Sequence, residues 1–314
     1  MDLTPSNLAA FFQNLRLDFQ SSYQAAPTFY QQVATTIPSS STTNVYGWMD
    51  FVPQLRQWVG ERFVRNVVAR AFTATNLLFE DTIEVPRVTI EDDQYGLYGA
   101  RAQMLGRAAA IWPDQQIANA IKNGGSSTLG LCYDGLSFFN GAHLKDPSGE
   151  LSGTQSNDLS LALTGANFAT ALQTGKQYVG RDGVPIGVFA TGRPLLMVNP
   201  ALEKTGRDLV AANFLSPAAQ YGAAAANAPS SNTYMGVADL LVNPYLTSAT
   251  EWYLLDNSFP IKPFIWQLRQ APMMQQRIAE NDQPVFERDV YQWGVRARGV
   301  ATYGLWWLAI RGNT

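Results

Sequence analysis

The segment from Val45 to Val88 places the strongest constraint on how this chain folds. Arg62–Thr75 is rich in Val, Phe and Thr, and Phe79–Val85 alternates between apolar and polar residues, which is typical of β-strands. We predict a long two-stranded ribbon formed by these runs, with a bend near Asn76. Because an isolated two-stranded ribbon is only marginally stable in water, it must cover its own core or lie across another subunit.

Aromatic and arginine side chains are interleaved along this ribbon. They are Trp48, Trp58, Phe63 and Phe72, with Arg56, Arg62, Arg65 and Arg70. Such interleaving also occurs in single-strand nucleic-acid binding sites, and that alternative predicts a salt-dependent affinity for DNA. The acidic residues of the same segment offset the positive charge that a phosphate track requires; they are Glu61, Glu80, Asp81 and Glu84. Nucleic-acid binding is therefore disfavoured, and the ribbon is expected either to cover its own core or to lie across another subunit.

The composition also indicates a surface that is covered by other chains. Charged residues make up 15% of the chain, against about 25% in an average soluble domain. Lysine occurs only at positions 122, 145, 176, 204 and 262, so the 22 basic residues are mostly arginine. Protein interfaces are depleted in Lys and Glu and enriched in Arg and aromatic residues.

A low-charge secreted or membrane protein is the competing explanation. Residues Met1–Ala10 lack the basic and apolar regions of a signal peptide, and no run approaches the roughly 20 apolar residues of a membrane helix. Cys132 is the only cysteine, so a disulfide within the chain is impossible and a reducing cytoplasm fits best. The sequence predicts no membrane partner.

Two amphipathic helices are predicted in the first half of the chain. Residues 5–20 form the first, whose apolar stripe is expected to pack on its own domain, with a neighbouring subunit as the alternative. Thr89 is expected to cap a second helix that runs from about 91 to 123, with a kink or restart at Pro113. The acidic triplet Glu91–Asp93 is better explained by this helix start than by a metal site.

The second half of the chain mixes helices and strands, which predicts an α+β protein. Helices are expected over 167–178 and 201–212, with a buried strand at Leu195–Val198 and an Ala/Ser/Pro-rich surface loop over 216–231. From residue 252 onward the pattern is almost all strand. The strands are expected at 252–255, 262–269, 285–297 and 302–310.

The sequence contains few residues of the types that commonly act in catalysis. His143 is the only histidine and Cys132 the only cysteine, so a Cys/His hydrolase of unknown substrate is the one enzymatic alternative. Zinc sites of the Cys/His type are excluded by number, and neither a phosphate-binding loop nor a G-x-S-x-G motif is present. We predict no catalytic, cofactor-binding or metal-binding residues, no cofactor, and no enzymatic activity.

Ordered blocks spread over the chain resemble the major head subunit of Mu-like phages and prophages. Tyr46–Trp48 followed by Leu55–Arg62 resembles the family's Y-G-W … L-R-E-W-x-G-[DE]-R block. Further resemblances lie at Ile90–Gly96, at Cys132–Gly135 with Phe138, Phe139 and His143, at Leu196–Glu203, at Trp252–Asp256 with Pro260–Pro263, and at Gly294–Gly299 with Gly304–Trp306. Asn199 replaces a family proline, and the Ala/Ser loop near 220 is particular to this chain.

The resemblance implies the Hong Kong 97 fold of tailed-phage capsid proteins. On that basis residues 1–45 would be an N-terminal arm and 46–88 an extended loop that overlaps a neighbour. Residues 89–130 and 252–314 would form a peripheral domain with a spine helix and return strands, and 131–251 an axial domain.

The resemblance also implies function and partners. The chain would be a major capsid protein that assembles with itself as hexamers and pentamers into an icosahedral head around double-stranded DNA. A separate scaffolding protein, a portal, a possible decoration protein and non-specific contact with the packaged DNA are expected. The chain would reside in the virion after assembly in the bacterial host cytoplasm.

Two further expectations concern assembly. Val45–Val88 contains no lysine, so we expect no Lys-based isopeptide crosslink from the extended loop. Because the sequence begins close to its first helix, we expect that the scaffolding function is supplied by a separate protein.

Overall fold

The computed structural model describes residues 5–49, 69–92, 97–146, 151–180, 182–215 and 230–314. The helices within these ranges are α1 (Pro5–Ala25), α2 (Tyr30–Val33), α3 (Arg87–Glu91), α4 (Leu97–Asn123), α5 (Gly165–Lys176), α6 (Glu203–Val210) and α7 (Gln283–Arg288), with short 3-10 helices at Pro200–Leu202 and Trp306–Leu308.

The strands occur largely in consecutive runs between the helices, as expected of an α+β protein. They are β1 (Ala34–Pro38), β2 (Thr43–Met49), β3 (Ala69–Thr75), β4 (Leu77–Pro86), β5 (His143–Leu144), β6 (Thr154–Gln155), β7 (Asp158–Leu159), β8 (Leu195–Val198), β9 (Phe214–Leu215), β10 (Ser230–Ser231), β11 (Asp239–Val242), β12 (Trp252–Leu255), β13 (Phe264–Arg277), β14 (Val290–Tyr303) and β15 (Ala309–Gly312).

One sheet has four strands in the order β1-β13-β14-β4. β13 and β14 pair antiparallel, with register shifts between Leu268 and Gln270 and between Gln270 and Met273. β1 pairs in parallel with β13 only as far as Leu268, and β4 pairs antiparallel with β14 along its whole length.

A second, five-stranded sheet has the order β11-β8-β12-β15-β7. Every residue of β8 and β12 is buried. Their sequences, Leu195–Val198 and Trp252–Leu255, are continuous apolar runs, as expected for strands covered on both faces. Arg311 on β15 and Asp158 on β7 form two hydrogen bonds of 2.9 and 2.7 Å, which join the edge strand to the sheet.

The N-terminal helix α1 packs on its own chain, which confirms the favoured expectation. Phe12, Leu15 and Phe19 are buried together with Tyr98 of α4 and Trp293 of β14. The ring of Phe12 meets the ring of Trp293 edge-on at 5.7 Å between centroids. The apolar stripe of α1 therefore fills the space between α4 and one face of the four-stranded sheet.

The predicted pairing of the ribbon was wrong, although both runs contain strands where the structure describes them, and residues 62–68 of the first run lie outside the described ranges. β3 pairs with β2, whereas β4 joins β14 in the four-stranded sheet. The two strands are separated by the single residue Asn76, which is buried. Alternating polarity predicts that a segment is a strand, but the partner depends on contacts that are distant in sequence.

Two local predictions in the helices were also wrong: the cap at Thr89 and a restart at Pro113. Thr89 lies inside α3, which begins at Arg87 after Pro86 and has no side-chain cap. α4 continues through Pro113, because its neighbours Trp112 and Ile117 are buried and this packing offsets the roughly 3 kcal/mol cost of an interior proline. Residues 93–96 lie outside the described ranges.

The last third of the chain contains more helix than the pattern indicated. Val285 belongs to α7, where it is buried while Phe286 is exposed, so the strand predicted from 285 begins at Val290 instead. The strand predicted over 302–310 is interrupted by the 3-10 helix at Trp306–Leu308. Short apolar runs suit helix and strand equally. The helices predicted over 167–178 and 201–212 are confirmed as α5 and α6.

Candidate assembly surfaces

The hairpin formed by β2 and β3 is a two-stranded sheet separate from the four-stranded sheet. Its strands pair with each other from Thr43↔Thr75 to Met49↔Ala69, and within the described residues they pair with no other strand. Near its base Ala74 is buried and Phe72 packs against the core, while Val45 and Thr73 are exposed. Most of the aromatic and arginine residues that the sequence places in this loop, within 50–68, lie outside the described ranges.

A set of buried polar side chains fixes the base of the hairpin to the sheet. We call Ser39, Tyr46, Asn76 and Gln267 the root network. The Tyr46 hydroxyl donates to Gln267 Oε1 at 2.7 Å, and Gln267 Nε2 donates to Asn76 Oδ1 at 2.8 Å. Asn76 Nδ2 in turn donates to Ser39 Oγ at 2.9 Å. The network therefore joins β2, the turn before it, the residue after β3, and the sheet strand β13.

Sequence reasoning missed the root network, although one residue marked it. Gln267 interrupts the apolar run Phe264–Leu268 and is completely buried. A buried amide requires hydrogen-bond partners, so a glutamine in such a run indicates a polar contact inside the protein. Its partners could not be read from the sequence, because Asn76 lies 191 residues away along the chain.

Large apolar side chains are exposed on several elements outside the hairpin. Phe286 on α7 is 84% exposed, Met104 on α4 71% and Phe214 on β9 68%. Others that are more than half exposed are Leu17, Leu77, Leu78, Val88, Leu97, Leu129, Leu144 and Met235. Single exposed apolar residues are ordinary, but exposure at this frequency is what a protein covered by other subunits would show in isolation.

The outer face of the four-stranded sheet carries charges in separate strands. Glu80 and Glu84 lie on β4, and Arg296 lies opposite Glu80 on β14. Gln292 donates to Glu84 Oε2 at 2.7 Å, and Arg288 forms an ion pair with Glu84 at 3.0 Å. Exposed pairs of this kind contribute little to stability.

The two residues of the hydrolase alternative do not form a catalytic pair. The Cys132 thiol is buried and its Sγ lies 3.7 Å from the Gly304 carbonyl oxygen. Burial, reinforced by the negative charge of Asp134, raises the pKa of the Cys132 thiol well above its ordinary value, and this disfavours the reactive thiolate. The chemistry required of a nucleophile is thus opposed by the surroundings of the thiol.

His143 is occupied by other groups and is buried. Its Nδ1 lies 2.5 Å from Asp134 Oδ2 and its Nε2 lies 3.3 Å from the Phe138 carbonyl oxygen. The imidazole ring stacks on Trp306, with 4.0 Å between ring centroids and an interplanar angle of 3°. His143 therefore fastens the segment from Asp134 to the 3-10 helix at Trp306, and neither nitrogen serves Cys132 as a base.

No alternative chemical site emerges from the part of the chain that the structure describes. Within it, no group of three or more His, Cys, Asp and Glu side chains could hold a metal ion. Asp93, one member of the acidic triplet, lies outside the described residues. Among the described helices, none combines the length and the apolar character needed to span a bilayer.

Comparison with known proteins identifies the family. The sequence profile of the Mu-like prophage major head subunit gpT family matches residues 8–161 and 247–314. This chain belongs to the Mu-like major head subunit family. The major capsid protein of Escherichia phage Mu is 26% identical over 99% of this chain and 74% of its own length. The major head subunit of the Haemophilus influenzae prophage FluMu is 26% identical over 98% and 73%.

Solved structures agree with this membership. The procapsid of bacteriophage JBD30 contains a chain 29% identical to this one, with a TM-score of 0.61 over 99% of this chain and 76% of that one. A virus-like particle from Pyrococcus furiosus has the same fold at 10% identity and a TM-score of 0.54, over 96% and 99% of the two chains. The α+β tailed-phage capsid fold implied by the resemblance is confirmed. The chain is a major capsid protein of the Mu-like head subunit family.

Proposed function

We propose that copies of this chain assemble as hexamers and pentamers into an icosahedral head that encloses double-stranded DNA. The observation that carries the proposal is the β2–β3 hairpin, which leaves the sheet without another described strand beside it. Because a lone hairpin is only marginally stable in water, contact with a neighbouring copy would stabilise it. The exposed apolar residues of α4, α7 and β9 supply further surface that neighbouring copies would bury.

The division of labour within the subunit is part of this proposal. Residues 1–45 form an N-terminal arm whose helix α1 is fastened to the body, and 46–88 form the extended loop. Residues 89–130 and 252–314 form the peripheral domain, with α4 as its spine helix and β13 and β14 as return strands. Residues 131–251 form the axial domain. The pairing of the return strands β13 and β14 with each other supports this division, whereas the five-stranded sheet crosses its boundary, because β12 and β15 of residues 252–314 pair with β8 and β7 of residues 131–251.

The partners beyond the chain itself are a scaffolding protein, a portal and a decoration protein, together with non-specific contact with DNA. A decoration protein is supported by a structure with the same fold, described as a capsid of bacteriophage JBD30 decorated with minor capsid protein trimers. Assembly would take place in the host cytoplasm, without a membrane partner. The subunit would act without enzymatic chemistry, as the burial of Cys132 and the occupied nitrogens of His143 support.

Electron microscopy of assembly reactions tests the proposal. The chain is expressed with a scaffolding protein, fractionated by gel filtration, and imaged in negative stain. Closed icosahedral particles or hexameric and pentameric rings are the expected result. A stable monomer under the same conditions would contradict the proposal.

Two matched substitutions sharpen this experiment. Val45→Asp places a charge on the exposed side of the hairpin, and Val184→Asp places the same charge on an exposed turn outside both large sheets. We expect Val45→Asp to reduce the yield of particles, because a buried unpaired charge is costly at an interface, and Val184→Asp to leave it unchanged. Equal yields from the two variants would argue against a neighbouring copy covering the hairpin.

A further inference from the structure

We infer that the root network is a positioning device, in which Gln267 sets the direction of the β2–β3 hairpin and thereby the curvature of the shell. The inference rests on the proposed function, since it assigns a role within assembly. The fully buried Gln267 amide joins the β2–β3 hairpin to strand β13 of the four-stranded sheet.

The hydrogen-bonding capacity of the Gln267 amide is used by groups of the hairpin base. Its Oε1 accepts from Tyr46, and its Nε2 donates to Asn76 Oδ1 and lies 3.4 Å from the Ala74 carbonyl oxygen. These groups belong to β2, to β3 and to the residue that follows β3. A single side chain of the sheet therefore holds both strands of the hairpin.

Asn76 extends this contact to the turn through which the chain enters the hairpin. Its Nδ2 donates to the Ser41 carbonyl oxygen at 2.9 Å as well as to Ser39, and its backbone N–H donates to Thr42 O at 2.9 Å. Ser39 is tied to β13 as well, because its N–H donates to Leu268 O at 2.9 Å and its carbonyl oxygen accepts from Arg269 Nη1 at 3.0 Å. The chain is thus fixed where it enters and where it leaves the hairpin.

Hydrogen bonds of this kind specify an angle in a way that apolar packing does not. The free energy of apolar burial depends little on direction, whereas a buried amide loses its bonds when its partners move, and a fully satisfied polar network favours one arrangement. Since β2 and β3 have no other strand beside them within the described ranges, the root network adds directional bonds to the apolar packing of Phe72 and Ala74 and opposes rotation of the hairpin about its base.

The direction of the hairpin matters because contacts between identical subunits close only for certain rotations. A head-to-tail contact generates a closed ring when its rotation suits closure and an open assembly when it does not. If the hairpin contacts a neighbouring copy, a loose base would admit a range of angles between subunits. Particles of mixed diameter, or open sheets, would replace a single closed size.

The primary test measures the hairpin direction in the subunit itself. Spin labels are attached to cysteines introduced at the exposed positions Val45 and Ala108, in a Cys132→Ala background, and the distance distribution between them is measured by pulsed electron resonance. We expect one narrow distribution in this parent. Gln267→Leu, which keeps the side-chain size and removes the amide, should broaden it, while Gln275→Leu on the exposed end of β13 should leave it narrow.

Tyr46→Phe provides a second test in case Gln267→Leu does not fold. It removes one hydroxyl from the root network and should broaden the distribution less than Gln267→Leu does. An unchanged distribution in Gln267→Leu overturns the inference, and so does an unchanged distribution in Tyr46→Phe if Gln267→Leu fails to fold.

The second arm examines particles assembled with the scaffolding protein. Gln267→Leu should lose the single particle diameter that the parent and Gln275→Leu produce. A broadened distance distribution with unchanged particle diameter would overturn the link between hairpin direction and curvature. If the parent forms no particles at all, the proposed function fails, while the distance measurement still decides whether Gln267 positions the hairpin.

Discussion

Gly106 on α4 offers the sharpest test of how the N-terminal helix is fastened to the body. A methyl group added at Gly106 would lie 2.3 Å from the Phe19 carbonyl oxygen of α1, whereas one added at Gly99 would lie 3.0 Å from the Asp18 carboxylate. The first contact is with rigid backbone and forces the helices apart, while the second is with the end of a side chain that can move. The two positions therefore allow the same substitution to be compared on one helix.

Two opposing effects decide whether each variant has a higher or a lower free energy of unfolding. Replacing an interior helical glycine by alanine gains up to about 1 kcal/mol, whereas overpacking a close contact costs about 1–3 kcal/mol. Gly106→Ala should therefore be destabilised by roughly 1–2 kcal/mol in the free energy of unfolding, and by more if α1 loses the burial of Phe12 and Leu15. Gly99→Ala should be neutral, or more stable by up to about 1 kcal/mol.

Urea unfolding of the purified subunit, followed by tryptophan fluorescence and circular dichroism, measures both variants. Trp293 lies against Phe12, so detachment of α1 should also change the fluorescence before global unfolding. The reasoning is refuted if Gly106→Ala is at least as stable as Gly99→Ala, because α1 and α4 would then be able to separate without cost.

Three further predictions concern a buried carboxylate, the thiol and covalent linkage. Asp114 accepts the backbone N–H groups of Phe29 and Tyr30, and burial raises its pKa. Its contribution to stability is therefore largest below the usual aspartate pKa and is lost as pH rises through the raised value, so Asp114→Asn should remove this dependence in unfolding measured from pH 3 to 7. Asp114→Ala should cost about 1–3 kcal/mol at pH 7 by leaving buried N–H groups unpaired; equal stability of the two variants would contradict this. The buried Cys132 should react with a thiol reagent only after unfolding, and rapid labelling of the native subunit would show that its burial is wrong. Assembled shells should run as a single 34.5 kDa chain on a denaturing gel, since Val45–Val88 has no lysine, and a ladder of larger species would disprove the absence of a crosslink.

The sequence predicted those elements whose periodicity is set by burial on one side. The stripe of α1 and the continuous apolar runs of β8 and β12 are such elements, and each is found where its pattern placed it. The pairing of β3 with β2 was not predictable in this way, because the choice of strand partner depends on contacts that are distant in sequence. Pro113 misled for a related reason, since burial around it outweighs its intrinsic cost in a helix.

The sequence predicted that some surfaces contact other subunits, but it did not predict which buried residues position them. The scarcity of lysine and the aromatic ribbon indicated contact between subunits, but Gln267 appeared in the sequence only as an isolated polar residue within a buried strand. Its role depends on Tyr46 and Asn76, which lie 221 and 191 residues away along the chain. Hydrophobic periodicity cannot predict such a contact, because it describes neighbours along the chain and these three residues are far apart in sequence.

The most direct test of the central claim is a cryo-electron microscopy map of assembled particles at side-chain resolution. We expect closed icosahedral shells in which the β2–β3 hairpin of each subunit lies against a neighbouring copy, with Val45 and Thr73 covered. A map in which the hairpin folds back on its own subunit, or stays exposed to solvent in a closed shell, would contradict it.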